Sequence, residues 1–154
     1  MSLSCFISHN ASEEERVFVY RLQTLATSSG MKVMLPHRVG RLLSDETRSR
    51  IERADLVIAF LTASRATQVH QELGFAQALG KPILAIKRKG AKPPVTKGIR
   101  WIEYDERRGL ATIESKVLDV LHEKLSDKQA QQGAVVAILG ITLLALLSQQ
   151  TAKK

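Results

Sequence analysis

A chain of 154 residues can bury one core of ordinary size but is too short for two full domains. Its formal net charge of +8, from 23 Lys plus Arg against 15 Asp plus Glu, permits attraction to phosphates, anionic lipid or nucleic acid without choosing among them. Aromatic residues are only 5%, and no basic stripe is interleaved with them, so nucleic acid is not an expected partner.

Cys5 is the only cysteine, which excludes an intramolecular disulfide and a thiolate cluster and makes a reducing, cytosolic setting the default. His9, His37, His70 and His122 lack HExxH or paired-ligand spacing, and no metal is expected. No charged segment followed by a long apolar run opens the chain, so the usual secretory signal is not expected either.

The run LSCFISHN, residues 3–10, reads as a buried strand ending in polar residues. A helix follows from about Glu13 to Ser28. Ser12 with Glu15 three residues later forms a capping box, Glu13 and Glu14 suit the positive helix end, and Gly30 supplies the stop. MKVMLP is the second strand, closed by Pro36; HRVGRLL is a loop; SDETRSRIERA is a short polar helix capped by Ser44. DLVIAFLT, residues 55–62, is a continuous apolar run suited to a central strand buried on both faces.

The next helix, residues 64–79, raises a question. At about 100° per residue Val69, Leu73, Ala76 and Leu79 form one stripe, and Glu72 falls within it. A carboxylate on the buried side of a helix needs a reason. Gly80 stops this helix, and ILAIK, residues 83–87, forms the fourth strand. The loop KRKGAKPPVTKG reads as a solvated surface connection, followed by a strand at Ile99–Tyr104 and a helix over about Leu110–Leu125. The alternation predicts a flavodoxin-like α/β fold: a five-stranded parallel sheet with helices on both faces. Residues 1–126 are the expected catalytic domain, 127–132 a linker, 133–149 a candidate transmembrane helix and 150–154 a basic tail. GAVVAILGITLLALLS, from Gly133 to Ser148, carries no charge, and 16 helical residues span about 24 Å against a hydrocarbon core of about 30 Å. This C-terminal apolar helix either anchors the chain or packs inside an assembly.

In an open parallel sheet, ligands bind beyond the carboxyl ends of the strands. That rule selects Ser8, His9 and Asn10 after strand one, Pro36, His37 and Arg38 after strand two, and Ser64 and Arg65 after strand three. No Gly-rich phosphate loop and no G-x-S-x-G turn is present, which leaves Glu72 as the leading catalytic group. One carboxylate suffices to cleave the bond between nicotinamide and ribose. The pyridinium leaves as a neutral base without a general acid, and the carboxylate steadies the developing oxocarbenium ion.

The segments CFISHN, SRIERADLVIAFLTASRATQVHQELGFAQALGKPILAI and, above all, Glu72 in QELGFAQALGKP resemble the Toll/interleukin receptor (TIR) domain family, bacterial enzymatic type, over about residues 3–125. The resemblance implies NAD as substrate with no cofactor, and hydrolysis to nicotinamide and ADP-ribose or a cyclised product. It implies activation by self-association into an oligomer or filament, an antiviral defence role, and a loop PHRVGRLLS that moves or makes assembly contacts. With the C-terminal helix as membrane partner, the catalytic domain would lie on the cytoplasmic side. Many members place an aromatic one helical turn before the glutamate, where this chain has Gln68; Phe6 or His37 is then the candidate stacking partner. Arg38 and Arg65 suit the pyrophosphate.

Two other readings stand beside this one. A scaffold without enzymatic activity would hold Glu72 in a structural salt bridge with Arg65 or a neighbouring arginine. The segment ELGFAQALGKP also resembles nucleoside 2-deoxyribosyltransferases, whose neutral leaving base needs a proton donor that no residue near Glu72 clearly supplies. A carboxylate sealed from any cavity and locked to an arginine would sink the enzymatic reading and leave the scaffold.

Overall fold

The computed structural model describes residues 2–10, 12–62, 66–91 and 98–131. Five strands, β1 (Ser4–Ser8), β2 (Lys32–Met34), β3 (Leu56–Leu61), β4 (Ile83–Arg88) and β5 (Ile99–Tyr104), form one sheet in the order β2-β1-β3-β4-β5. Every neighbouring pair is parallel, with Phe6 opposite both Met34 and Val57. This is the flavodoxin-like fold that the alternation predicts. The order reverses direction at β1, so the crevice between the carboxyl ends of β1 and β3 is the topological switch point.

Helix α1 (Glu13–Ser28) has the expected bounds, and its N-cap Ser12 accepts a hydrogen bond from the Glu15 amide. The capping box is half right. The Glu15 carboxylate accepts from the Asn10 amide at 2.7 Å, tying down the end of β1 rather than the cap residue itself. Helix α2 (Asp45–Arg53) is capped by Ser44 as expected, and α3 spans Thr67–Ala78. Gly80, at φ +67°, takes the left-handed turn that ends α3 and that a Cβ would strain.

Side chains of each strand alternate between two cores, because successive residues point to opposite faces. Cys5, Ile7, Ile58, Phe60, Leu84 and Ile86 face α1 and the helix that carries Val117, Val120 and Leu121. Phe6, Val57, Ala59 and Ile83 face α2 and α3. β3 is buried along almost its whole length, as its unbroken apolar run requires in a central strand. On α1, Phe18, Val19, Leu22 and Ala26 repeat at helical spacing; Leu22 is fully buried, and its removal from water is favourable by about 1.5–3 kcal/mol. Cys5 lies in the same core, where burial pushes its thiol up to about 12, so it is no nucleophile at neutral pH.

Three expectations need correction. Leu79 is 43% exposed and stands outside the buried stripe of α3, because the helix ends at Ala78 and its C-cap turns away. The last helix opens with a 3₁₀ turn at Leu110–Ile113 and then runs as α4 over residues 114–131. Residues 127–131, expected as linker, therefore continue the helix; no Gly or Pro interrupts the chain before Gly133. Among the described residues no helix is long and apolar enough to cross a membrane, and the candidate span 133–149 with its basic tail lies outside them.

Candidate active site

Strand alternation decides which residues meet at the switch point. Phe6 and Ser8 point to the α2/α3 side of β1, and α3 crosses that side with Val69, Glu72, Leu73 and Ala76 inward. Ser8 and Glu72 thus meet inside the molecule, each 1% exposed or less. The Ser8 hydroxyl donates to Glu72 Oε2 in a short hydrogen bond.

Arg38 completes the site. Its Nε donates to Glu72 Oε1 at 2.9 Å and its Nη2 to Oε2 at 3.1 Å, a two-pronged pairing that the planar guanidinium favours. Its third arm, Nη1, donates to the His9 carbonyl at 2.6 Å. Arg38 comes from the loop after β2, so one side chain fastens that loop to the end of β1 and to α3. The positive charge offsets the penalty of burying Glu72, and losing either partner alone would leave an unpaired buried charge. This answers why a carboxylate sits on the inner face of α3. The partner is Arg38, which is therefore not free for a pyrophosphate in this conformation; Arg65, like Ser64, lies outside the described residues.

Further bonds hold the loop of residues 35–44. The Gln68 side chain donates to the Gly40 carbonyl at 3.1 Å, and Arg50 Nη1 donates to the Leu35 carbonyl at 2.6 Å. Thr47 Oγ1 accepts from the His37 amide and donates to the His37 carbonyl, each at 2.9 Å. The Ser44 hydroxyl also contacts that carbonyl. His37 is consequently pinned through its backbone while its ring is exposed, and Pro36 is half-buried behind it.

His9 and Asn10 extend the strand end. His9 Nδ1 lies 2.7 Å from the Asn10 carbonyl, and burial, the largest influence, holds its imidazole below the ordinary 6.5, so it is neutral at pH 7. Asn10 Nδ2 is buried without a hydrogen-bond partner among the described residues. Phe6 is 0% exposed within the second core, packed where no ligand can stack on it, because it shares the face of Ser8 but lies one pleat deeper, among Val57, Val69 and Leu73 of that core. The structure therefore gathers Ser8, His9, Arg38 and Glu72, brings Gln68 and Asn10 to the rim, and removes Phe6 from the set.

Glu15 is the site-side residue that sequence reasoning undervalued. It is 3% exposed at the start of α1, and its carboxyl is raised above the ordinary 4.5, chiefly by burial. Its third position after a Ser cap signals a reach back toward the strand end, which is the bond to Asn10.

A TIR domain family model matches residues 5–118. No curated protein matches the sequence. Among solved structures the chain is similar to BcmB, a CMP N-glycosidase of Clostridium botulinum, at 19% identity and a TM-score of 0.53, covering 74% of this chain and 97% of that one. It is also similar to the constitutive lysine decarboxylase of E. coli at 14% identity and a TM-score of 0.50, covering 82% of this chain but 18% of the decarboxylase. These structural likenesses concern the fold; the match across residues 5–118, on a 2-1-3-4-5 parallel sheet with Glu72 set at its switch point, establishes that this chain belongs to the TIR domain family.

Proposed function

We propose that this chain is an N-glycosidase of the TIR family that hydrolyses the nicotinamide–ribose bond of NAD, with Glu72 as the catalytic carboxylate. The observation that carries the reading is the placement of Glu72: a buried carboxylate at the switch point, oriented by Ser8 and Arg38. Membership of the family and the fold shared with a protein described as a CMP N-glycosidase support the same chemistry.

In this reading the ribose hydroxyls replace part of the Arg38 fork on Glu72. The carboxylate then faces the anomeric carbon as the C–N bond breaks, its negative charge opposing the oxocarbenium charge in a site with little water. The electron pair of that bond goes to the pyridinium nitrogen, so nicotinamide departs neutral. Water adds to the sugar and releases one proton, giving ADP-ribose. Arg38, once displaced, is placed to meet the pyrophosphate. The loop of residues 35–44 must shift for this to happen. Val39 and Leu42, 67% and 80% exposed on that loop, offer apolar surface for the self-association that accompanies activity. Tethering through residues 133–149 to the cytoplasmic face of a membrane would raise the local concentration.

A second reading has its own observation. Glu72 is 1% exposed with both oxygens engaged, which suits a scaffold whose carboxylate only fastens the loop to α3. Incubation of the full chain with NAD and, separately, with CMP, followed by chromatography of the products, tests the proposal. Free nicotinamide supports it, release of cytosine alone moves the substrate to nucleotides with a neutral base, and no product from either favours the scaffold.

A further inference from the structure

The carboxyl ends of β4 and β5 shape a second concavity, on the α4 side of the sheet and away from Glu72. It is an open groove of about 370 Å³, a size that admits a mononucleotide. Its floor is buried Tyr104 and Ile113, both members of the core under α1 and α4. Around this floor stand three exposed cations: Lys89 after β4, Arg108 in the turn after β5, and Lys116 in the first turn of α4.

Two acids, Glu103 and Asp105, share the lining. Glu103 pairs with Lys87 at 2.8 Å, an interaction that holds its carboxyl below the ordinary range, and Asp105 Oδ1 accepts from the Arg107 amide at 2.9 Å. Lys89, Arg108 and Lys116 form no ion pair among the described residues. The three cations of the lining exceed its two acids by one charge, with Lys89 drawn toward Glu103, and an anion seated between Arg108 and Lys116 offsets that excess. Arg108 supplies a fork for two oxygens, and the two ammonium groups supply point charges.

We propose that this groove is a phosphate-binding subsite for a small molecule carrying a mono- or diphosphate group, separate from the Glu72 crevice. Binding there stabilises the turn of residues 105–109 against α4 and does not require the loop of residues 35–44 to move.

Calorimetric titration of the full chain with inorganic pyrophosphate at low ionic strength tests this, using wild type, Arg108→Glu with Lys116→Glu, and a charge-matched control, Lys32→Glu with Arg53→Glu, at the opposite sheet edge. Expected is saturable binding to wild type and the control, weakened roughly tenfold or more in the groove variant as two ion pairs to phosphate are lost. Urea midpoints of the three proteins report whether each remains folded. Equal binding by all three, or equal losses in both double variants, would overturn the proposal in favour of general attraction to a basic surface. Nicotinamide release from NAD by the Arg108→Glu with Lys116→Glu protein should match wild type, which separates this site from the proposed activity. Flotation with phosphatidylserine vesicles is the other arm: vesicle binding that depends on Arg108 and Lys116, with no heat from pyrophosphate, would overturn the small-molecule assignment and give the groove to lipid headgroups.

Discussion

Arg38 grips both oxygens of Glu72 from 34 residues away, and with its third arm holds the carbonyl at the end of β1. The pair is the joint between the loop after β2 and the helix that carries the proposed catalytic group. With Arg38 22% and Glu72 1% exposed, the pairing is largely shielded from solvent. Arg38→Met should therefore cost about 3–5 kcal/mol in urea denaturation, because it strands a buried carboxylate. Arg38→Met combined with Glu72→Met should recover much of that loss, since both charges leave together. If the double variant is as unstable as the sum of the singles, the two residues are not energetically coupled.

The loop itself depends on Thr47, 1% exposed beneath it. Thr47→Val keeps the shape but strands the His37 amide and leaves the His37 carbonyl to Ser44 alone, a loss of about 1–3 kcal/mol. Limited trypsin digestion should then cut faster after Arg38 or Arg41, while cleavage elsewhere keeps its wild-type rate. An unchanged pattern would mean that Arg38 and Gln68 hold the loop without Thr47.

Glu15 gives a pH signature. Burial raises its carboxyl above the ordinary 4.5, so the folded state binds that proton more readily than the unfolded state. The associated stability is complete below about 4.5 and lost as pH rises through the folded value. Above its folded value the wild type carries a buried charge, whereas Glu15→Gln keeps an oxygen acceptor for the Asn10 amide without it. The variant should show the higher melting temperature at pH 7, with the gap closing as pH falls toward 4. A constant gap across that range would assign the effect to packing.

Residues 133–149 carry the membrane proposal. A chain ending at residue 132 should move from the membrane fraction to the soluble fraction when expressed in bacteria, with its circular dichroism spectrum still that of a folded α/β domain. The same fractionation for both lengths would mean that the apolar segment packs against protein instead.

Much of this was legible in the sequence, for reasons that differ by residue. Ser12 and Ser44 marked both helix starts because capping is local chemistry, and Leu56–Leu61 announced a central strand through its unbroken apolar run. The oddity of Glu72 was legible too, as a charge on an apolar stripe. Its partner was not: Arg38 reaches it only because β2 lies beside β1 and sends its loop across the switch point, a consequence of strand order rather than of any spacing. Phe6 was misplaced for the opposite reason. Its neighbours Ser8 and His9 end the strand at the crevice, but Phe6, on the same face as Ser8, lies one pleat deeper, where α2 and α3 cover the ring. The buried Glu15 was hidden behind a cap motif that gave it a simpler task.

The most direct measurement is nicotinamide release from NAD by the full chain at concentrations that allow self-association, wild type beside Glu72→Gln. Glutamine keeps the size and an acceptor but removes the charge that would steady the sugar cation. Expected is turnover by wild type and a fall of about 10²–10³-fold in the variant, with the fold intact by circular dichroism. Equal turnover in the two proteins, or none in wild type, would contradict Glu72 as the catalytic carboxylate and leave it as the clasp that Arg38 closes.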